Sequence, residues 1–250
     1  MVDGICSVCG YANAPTLIDA QAAENLHIST DYVGYYAIAN TGHLYWFADK
    51  VNDGATSSKG VLIADIVVNE NVLTDDGELN GDGSDFIPWT PIGKSGNTFV
   101  GTFDGNGHTI SGLYCNTPST NYVGLFGYAY RGGVINLGVI DSYFSGQQYV
   151  GGISGYGGYI TNCYNKATVV GSEWYIGGIC GDYGTITDCY NMGNVTGSSA
   201  TGGICGHDCR ITNCYNTGAV TSSGGSAGGI SGSSGATSII TRTYGRYPRP

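Results

Sequence analysis

The side chains with the clearest capacity for chemistry lie in an acidic stretch at residues 75–85. It holds six side chains with oxygen ligands: Asp75, Asp76, Glu78, Asn80, Asp82 and Asp85. Carboxylate and amide oxygens are the ligands that calcium takes in protein loops. The EF-hand spacing fails, because a loop that begins at Glu78 has Trp89 where the bidentate glutamate belongs. We therefore weigh a calcium loop of another type against a solvated insertion rich in turn residues.

Two cysteine motifs contain the residue types of metal sites. Cys6 and Cys9 form a Cys-x-x-Cys pair, but a structural zinc needs four ligands and the next cysteine is Cys115. The pair is therefore interpreted as part of a site whose other ligands lie outside this chain. The second motif is Cys205-Gly206-His207-Asp208-Cys209. Its place in a repeat favours a turn with Cys205 in the core, and a metal site or a Cys–His nucleophile is the alternative.

Tyrosine is the candidate for binding rather than catalysis. One tyrosine position recurs along the chain, at Tyr164, Tyr190, Tyr215 and Tyr244. Aromatic faces on a flat surface stack on sugar rings, and the hydroxyl groups add hydrogen bonds. These four are the predicted ligand-binding residues. The alternative is that they pack under loops or only stabilise the fold.

Internal repeats of the sequence determine where these residues lie in the fold. Four copies of Gly-Gly-Ile-x-Gly have starts that differ by 26, 25 and 26 residues: Gly151–Gly155, Gly177–Gly181, Gly202–Gly206 and Gly228–Gly232. A second motif runs in phase with them, with Cys-Tyr-Asn at its end: Ile160–Asn165, Ile186–Asn191 and Ile211–Asn216. Short β-branched runs separated by Gly, Asn and Ser indicate strands and turns within each unit.

The repeats predict an all-β fold, a right-handed parallel β-helix with about 25–26 residues per coil. A single unit cannot bury a face, but units stacked about 4.8 Å apart can. Equivalent residues of successive coils then stack on one another in columns. We expect the column Cys163, Cys189 and Cys214 to point inward as free thiols, and the neighbouring tyrosines to point outward. The asparagines that follow the tyrosines are expected to form a column of hydrogen-bonded side-chain amides.

The segment before the repeats differs from them in its pattern. Leu44, Phe47, Ala48 and Val51 have helical spacing, which predicts a helix over His43–Asn52 with Asn40 or Thr41 as its cap. Such a helix would cover the open edge of the first coil. The predicted organisation is a Cys-x-x-Cys fragment and linker at 1–30, a cap with helix and acidic loop at 31–96, repeats at 97–246 and a tail at 247–250.

Composition and charge exclude several classes of protein. The chain has 250 residues, of which 44 are glycine and 20 tyrosine, and its net charge is −10. Residues 1–96 hold 13 acidic and 3 basic side chains, whereas residues 97–250 hold 6 of each. This balance argues against nucleic acid, which is bound through Lys and Arg. No apolar run approaches the roughly 20 residues that cross a bilayer, so no membrane insertion is expected.

The combined motifs resemble the GLUG-motif repeats of bacterial surface adhesins. The resemblance rests on the Gly-Gly-Ile-x-Gly and Asn-Cys-Tyr-Asn motifs, on the lead-in Trp89–Gly93 with Phe99–Ile110, and on Leu44–Ala48. It covers about residues 35–245. The resemblance implies a secreted or wall-attached bacterial protein, often a modular adhesin, and similar repeats occur beside IgA-specific metallopeptidases.

The functional prediction is a non-catalytic repeat module of a secreted or cell-surface bacterial protein. Its predicted partners are glycans or host and microbial surface proteins, and we expect a monomer within a longer chain, with no cofactor unless the acidic loop holds calcium. A polysaccharide-degrading enzyme and a structural spacer are the alternatives. An enzyme needs paired carboxylates, and we expect no such pair on neighbouring coils among the acidic residues of the repeats, Asp104, Asp141, Glu173, Asp182, Asp188 and Asp208.

Overall fold

The chain folds into a parallel β-helix with five sheets along its length. The computed structural model describes residues 14–233, 239–241 and 244–245. The Cys6 and Cys9 motif and the tail at 247–250 lie outside the described residues. For residues 239–241 and 244–245 only the backbone is described, so the side chain of Tyr244 also lies outside the description. Each complete coil passes once through each sheet, whereas the first coils contribute strands to only some of the sheets. The sheets are numbered here in the order in which a complete coil meets them.

Sheets 1 and 2 contain the strands nearest to the Cys-Tyr-Asn motif. Sheet 1 has nine strands: Thr16–Leu17, Tyr36–Ile38, Lys59–Leu62, Thr102–Asp104, Gly133–Ile135, Tyr159–Thr161, Thr185–Thr187, Arg210–Thr212 and Ile239–Thr241. Sheet 2 has seven: Ile66–Val67, Thr109–Ser111, Gly138–Ile140, Tyr164–Asn165, Tyr190–Asn191, Tyr215–Asn216 and Tyr244–Gly245. All pairs are parallel except that of the first two strands of sheet 1.

Sheets 3, 4 and 5 complete each coil. Sheet 3 has five strands: Tyr114–Asn116, Tyr143–Gly146, Thr168–Gly171, Val195–Gly197 and Val220–Ser222. Sheet 4 has four: Val150–Gly151, Trp174–Gly177, Ser199–Gly202 and Ala227–Gly228. Sheet 5 has four: Phe126–Tyr128, Ser154–Tyr156, Cys180–Asp182 and Cys205–His207. The Gly-Gly-Ile-x-Gly motif therefore spans the corner between sheets 4 and 5.

Register confirms the predicted columns. Tyr164 pairs with Tyr190, and Tyr190 pairs with Tyr215. The cysteines before these tyrosines, Cys163, Cys189 and Cys214, are buried free thiols. Their backbone and sulfur atoms also connect the coils, because each cysteine N–H donates to the sulfur of the next at 3.4 Å.

The asparagine column is buried and hydrogen-bonded, as predicted. Asn165 Nδ2 donates to Asn191 Oδ1, and Asn191 Nδ2 donates to Asn216 Oδ1, each at 2.8 Å. The amides face a column of glycines, the second glycine of each Gly-Gly-Ile-x-Gly motif. A Cβ on Gly178 would lie 2.2 Å from the carbonyl oxygen of Gly203 and 2.4 Å from Cγ of Asn191. The two sequence motifs are therefore the two halves of one contact across the core.

The predicted capping helix is present. It spans Thr41–Asn52, and the Asn40 side chain accepts a hydrogen bond from the His43 N–H at 2.9 Å. The apolar positions that define its buried face join the core of the first coils. The ring of Phe47 lies 5.5 Å from that of Phe103. The helix thus covers apolar side chains at the first coils, where no earlier coil lies beneath them.

The range 1–30, predicted as a Cys-x-x-Cys fragment and linker, contains folded elements among its described residues. Residues Ala20–Asn25 form a short helix, and Asp19 caps it by accepting a hydrogen bond from the Ala22 N–H at 2.7 Å. A 3-10 turn follows at Thr30–Tyr32. Ala23 packs with Ile18 against the outer side of the first sheet 1 strands. The two strands of Tyr36–Ile38 and Lys59–Leu62 are already paired in parallel, so stacking begins inside the range 31–96 that was predicted as a cap.

The glycine column allows a test with a matched control. Gly178→Ala forces a methyl group against the Gly203 carbonyl and the Asn191 amide, and we expect a loss of about 1–3 kcal/mol or more in the free energy of unfolding. Gly229 occupies the same motif position in the last copy, and among the described residues nothing lies within 4 Å of its Cβ position. Gly229→Ala should leave stability unchanged or slightly higher. Urea unfolding measures both, and equal effects of the two variants would refute the contact.

Candidate functional site

The predicted tyrosine column is a stack of parallel rings. We call Tyr164, Tyr190 and Tyr215 the tyrosine ladder. The ring centroids of Tyr164 and Tyr190 lie 5.0 Å apart with planes 2° from parallel, and those of Tyr190 and Tyr215 lie 5.0 Å apart at 4°. The ring of Tyr164 also covers Gly138, whose Cβ position lies 2.3 Å from that ring. The faces are thus largely used within the stack, and the ladder offers solvent mainly its ring edges.

A second group of tyrosines lies on the other side of the coil and was not predicted. Seven rings contact one another along sheet 5 and the corners beside it, and we call them the tyrosine cluster: Tyr122, Tyr128, Tyr130, Tyr149, Tyr156, Tyr175 and Tyr183. Most of these pairs are tilted, from 33° to 54°, rather than parallel. Tilted rings do not cover one another's faces fully, and two rings of the cluster, Tyr130 and Tyr183, are exposed to solvent.

The local sequence explains how the cluster forms. Tyr122, Tyr149 and Tyr175 occupy one corner of successive coils and have left-handed backbone, with φ of 65°, 56° and 66°. The third glycine of the repeat motif lets this corner approach sheet 5, since a Cβ on Gly155 would lie 2.5 Å from the Tyr149 carbonyl oxygen. The corner tyrosines therefore lie against the tyrosines of sheet 5, and both columns join into one surface.

Beside the cluster lies an open groove of about 480 Å³ at the corner between sheets 5 and 1. Its floor contains Gly158 and Gly184, where the corner carries no side chain. Its aromatic walls are three exposed tyrosines: Tyr130, Tyr159 and Tyr183. Its charged walls are Arg131, Arg210 and Asp208. We call this the corner groove, and it combines aromatic faces, hydrogen-bond donors and a carboxylate on a rigid floor.

Sequence reasoning missed the groove because its residues do not share one repeat position. Phe126 to Val134 spans eight residues, whereas Ser154 to Ile160 spans six, so Tyr130 and Arg131 form a two-residue extension of one corner. The strand positions Gly133, Tyr159, Thr185 and Arg210 are successive partners in sheet 1. Their side chains differ in every coil. The signal that could have found the site was this variation at a single corner.

An Asp–His pair joins the last two strands of sheet 5, Cys180–Asp182 and Cys205–His207. His207 Nδ1 is 3.1 Å from Asp182 Oδ1, and the His207 ring lies 4.7 Å from the Tyr175 ring. Burial raises the pKa of Asp182, and the His207 hydrogen bond offsets part of that rise. Asp182 pairs with His207 in the sheet, so Asp208 lies in the adjacent position of the next coil. The expectation that no two carboxylates occupy adjacent positions was therefore wrong.

The Cys205–Cys209 motif forms a disulfide rather than a nucleophile. The sulfur atoms of these two cysteines are bonded to each other. Cys205 stacks on Cys180 in sheet 5 and is buried, as the turn interpretation predicted. Because neither sulfur is a thiol, the alternative of a Cys–His nucleophile at this motif is contradicted.

The acidic stretch is a strap packed along sheet 3. The backbone carbonyl of Gly77 accepts a hydrogen bond from the Thr168 hydroxyl at 2.5 Å, and that of Asp76 accepts from Asn194 Nδ2 at 3.3 Å. Thr168 and Asn194 belong to neighbouring coils, so the strap connects them. The Asp141 carboxylate accepts the N–H groups of Val72 and Leu73 at the start of the strap.

The structure does not bring the acidic side chains together. Across residues 14–233, no group of three or more His, Cys, Asp or Glu side chains is placed to hold a metal ion. This applies to the carboxylates of Asp75, Asp76, Glu78, Asp82 and Asp85. The carboxylate of Asp82 instead accepts the Ser84 N–H at 2.9 Å, which lowers the Asp82 pKa. The hydrogen bonds that attach the strap to sheet 3 are accepted by the backbone carbonyls of Asp76 and Gly77.

The strap gives a test of calcium binding. Thr168→Val removes the hydroxyl that donates to Gly77, and we expect it to cost about 1 kcal/mol of stability. Thr221→Val changes an exposed threonine of the same sheet and should have no effect. The thermal midpoint of the unmodified protein should be the same in calcium and in EGTA. A rise of the midpoint in calcium that Asp82→Asn removes would restore the calcium loop.

Comparisons with known proteins give one partial relative and one structural neighbour. A 58-residue segment is 40% identical to a protein of Evansella cellulosilytica described as a "Putative Gly-rich membrane protein". The segment is 23% of this chain and 7% of that protein, so the chain matches only a small fraction of this relative. No protein-family model matches the chain.

The structural neighbour is a crystal structure described as "a putative immunoglobulin A1 protease from Bacteroides ovatus". The two share a TM-score of 0.65 and 26% sequence identity, over 85% of this chain and 67% of that one. The similarity supports the β-helix fold. Within the described residues, no helix is both long enough and apolar enough to span a bilayer.

Proposed function

We propose that this chain is a non-catalytic, glycan-binding repeat module of a longer bacterial protein that acts outside the cell or in its wall. The observation that carries the proposal is the tyrosine cluster together with the corner groove that borders it. Three groove tyrosines, Tyr130, Tyr159 and Tyr183, are 37%, 55% and 47% exposed. Large aromatic side chains normally bury most of their surface, so three exposed rings around one groove indicate a surface built for contact.

The chemistry of the groove suits sugars. A sugar ring has an apolar face that packs on an aromatic ring and hydroxyl groups that need donors and acceptors. The groove supplies both, from tyrosine rings, guanidinium groups and the Asp208 carboxylate. Its open shape fits a chain of sugars that enters and leaves along the surface. The stacked coils keep these groups in fixed positions, which lowers the entropic cost of binding.

Three observations support a location outside the cytosol. The Cys205–Cys209 disulfide is a feature of proteins in oxidising compartments. The partial relative is described as a "Putative Gly-rich membrane protein", and the structural neighbour as "a putative immunoglobulin A1 protease". The motif resemblance to GLUG repeats of surface adhesins agrees with both. We propose an adhesin-type role for the parent protein on this basis.

Binding is tested on an array of glycans and mucin glycoproteins, with the hits measured by calorimetry. We expect binding that Tyr159→Ala weakens by about threefold to tenfold, since a stacking ring contributes about 0.5–1.5 kcal/mol beyond its buried area. The control is Tyr215→Ala, which removes a tyrosine of the ladder that is 38% exposed. That variant should bind normally.

The same measurements separate the alternatives. Loss of binding in Tyr215→Ala but not in Tyr159→Ala would assign the ligand to the tyrosine ladder, as the sequence predicted. No binding of any glycan by the folded protein would contradict the proposal and leave the spacer role. Thermal midpoints of both variants should stay near that of the unmodified protein, because both side chains are partly exposed strand residues.

A polysaccharide-degrading enzyme is the second candidate, and one observation favours it. Asp182 and Asp208 lie in adjacent positions of neighbouring coils next to the corner groove, and the negative charge of Asp208 is among the influences that raise the Asp182 pKa. Glycoside hydrolysis uses two carboxylates with different pKa values. Release of reducing ends from any polysaccharide, abolished in Asp182→Asn, would establish catalysis. We expect no release.

A further inference from the structure

Positive charge is scarce in the coils and concentrated at one place. Residues 97–233 contain three cationic side chains other than histidine, Arg131, Lys166 and Arg210. Two of them, Arg131 and Arg210, line the corner groove. In a chain with a net charge of −10, two of three cations at one groove mark the place on the coils where an anion is attracted rather than repelled.

Neither guanidinium group is engaged by a carboxylate of the described residues. Within those ranges, no Asp or Glu oxygen forms an ion pair with Arg131 or Arg210 at 4.0 Å or less. Arg131 lies over the Tyr130 ring, with its Cζ 5.5 Å from the ring centroid. Such a contact orients a guanidinium group without using its hydrogen-bond donors. Asp208 is the one carboxylate among the lining residues, so the groove keeps an excess of positive charge.

The two arginines lie at opposite ends of the groove. Arg210 is three coil steps from Gly133 in sheet 1, and Arg131 precedes Gly133 by two residues. At about 4.8 Å per step, the two ends are roughly 14 Å apart along the helix axis. Tyr159 lies on a coil between them. An extended ligand can therefore contact an aromatic ring in the middle and a guanidinium group at each end.

We propose that the corner groove binds acidic oligosaccharides, in which sugar rings carry carboxylate groups. The guanidinium fork of arginine matches the two oxygens of a carboxylate, and the tyrosines take the sugar faces. This inference rests on the glycan binding proposed above and adds the class of ligand and the residues that select it.

The ligand class is tested with matched probes in calorimetry on the full chain. Trigalacturonate is compared with its methyl ester, which has the same rings without the charge, and sialyllactose is compared with lactose. We expect at least one acidic probe to bind about tenfold or more tightly than its neutral partner, because each charged hydrogen bond contributes about that factor. Binding of the acidic probe should weaken as salt rises from low to physiological ionic strength.

The variants use the third cation of the coils as a control. Arg131→Gln and Arg210→Gln should each weaken binding of the acidic probe about tenfold and leave any binding of the neutral probe unchanged. Lys166→Gln removes the same charge far from the groove, beside the Tyr164 ring, and should have no effect. All three residues are exposed, so none of the variants should lower the thermal midpoint.

The outcomes distinguish this inference from the general function. Equal affinity for charged and neutral probes would overturn the acidic ligand class while keeping glycan binding. A loss of binding in Lys166→Gln alone would move the site to the tyrosine ladder and overturn the assignment to the groove. If lactose sulfate, added as a further probe, binds and neither carboxylate probe does, the carboxylate ligand class is overturned in favour of a sulfate. No binding of any probe or array glycan would contradict the proposed function itself.

Discussion

The contact between the asparagine column and the glycine column fixes the cross-section of the coils. Asn165, Asn191 and Asn216 project into the interior, where an unpaired amide would cost about 1–3 kcal/mol. Each amide bonds to the amide of a neighbouring coil and to the backbone two residues on. The opposing glycines leave the space that the amides occupy. A side chain in place of one of these glycines would therefore disturb both the hydrogen bonds of the amides and the spacing of the coils.

A fixed cross-section confines variation to the corners and the outward positions. Because each outward position falls above its equivalent in the previous coil, repetition of one residue type produces a stack such as the tyrosine ladder. In such a stack each ring covers the face of the next, so little ring face is left for a ligand. Variation at a corner has the opposite effect. The extension at Tyr130–Arg131 and the glycines at the same corner of the next coils leave open ring faces beside a groove. The less regular corner thus carries three exposed tyrosines: Tyr130, Tyr159 and Tyr183.

The periodicity of the sequence predicted the features that recur from coil to coil. The inward cysteines, the outward tyrosines, the amide column and the helix at Thr41–Asn52 all follow from spacing and residue type. Features that occur once were missed or misread. The Cys205–Cys209 disulfide joins two residues of one turn, and a column pattern gives no information about it. The sequence analysis considered the side-chain oxygens of the acidic strap as calcium ligands. In the structure, the backbone carbonyls of Asp76 and Gly77 attach the strap to the coils. The short helix at Ala20–Asn25 is too brief to show a periodic pattern.

The rigidity of the stack determines how the groove can discriminate between ligands. Each coil adds a fixed step of about 4.8 Å, so the backbone positions that carry Arg131 and Arg210 stay about three steps apart along the helix axis. A ligand with one carboxylate gains the charged hydrogen bonds of one guanidinium group. A ligand that spans the groove meets both arginines and a tyrosine ring at the entropic cost of one binding event. For the acidic oligosaccharides proposed as ligands, this geometry therefore favours an extended chain over its separate units.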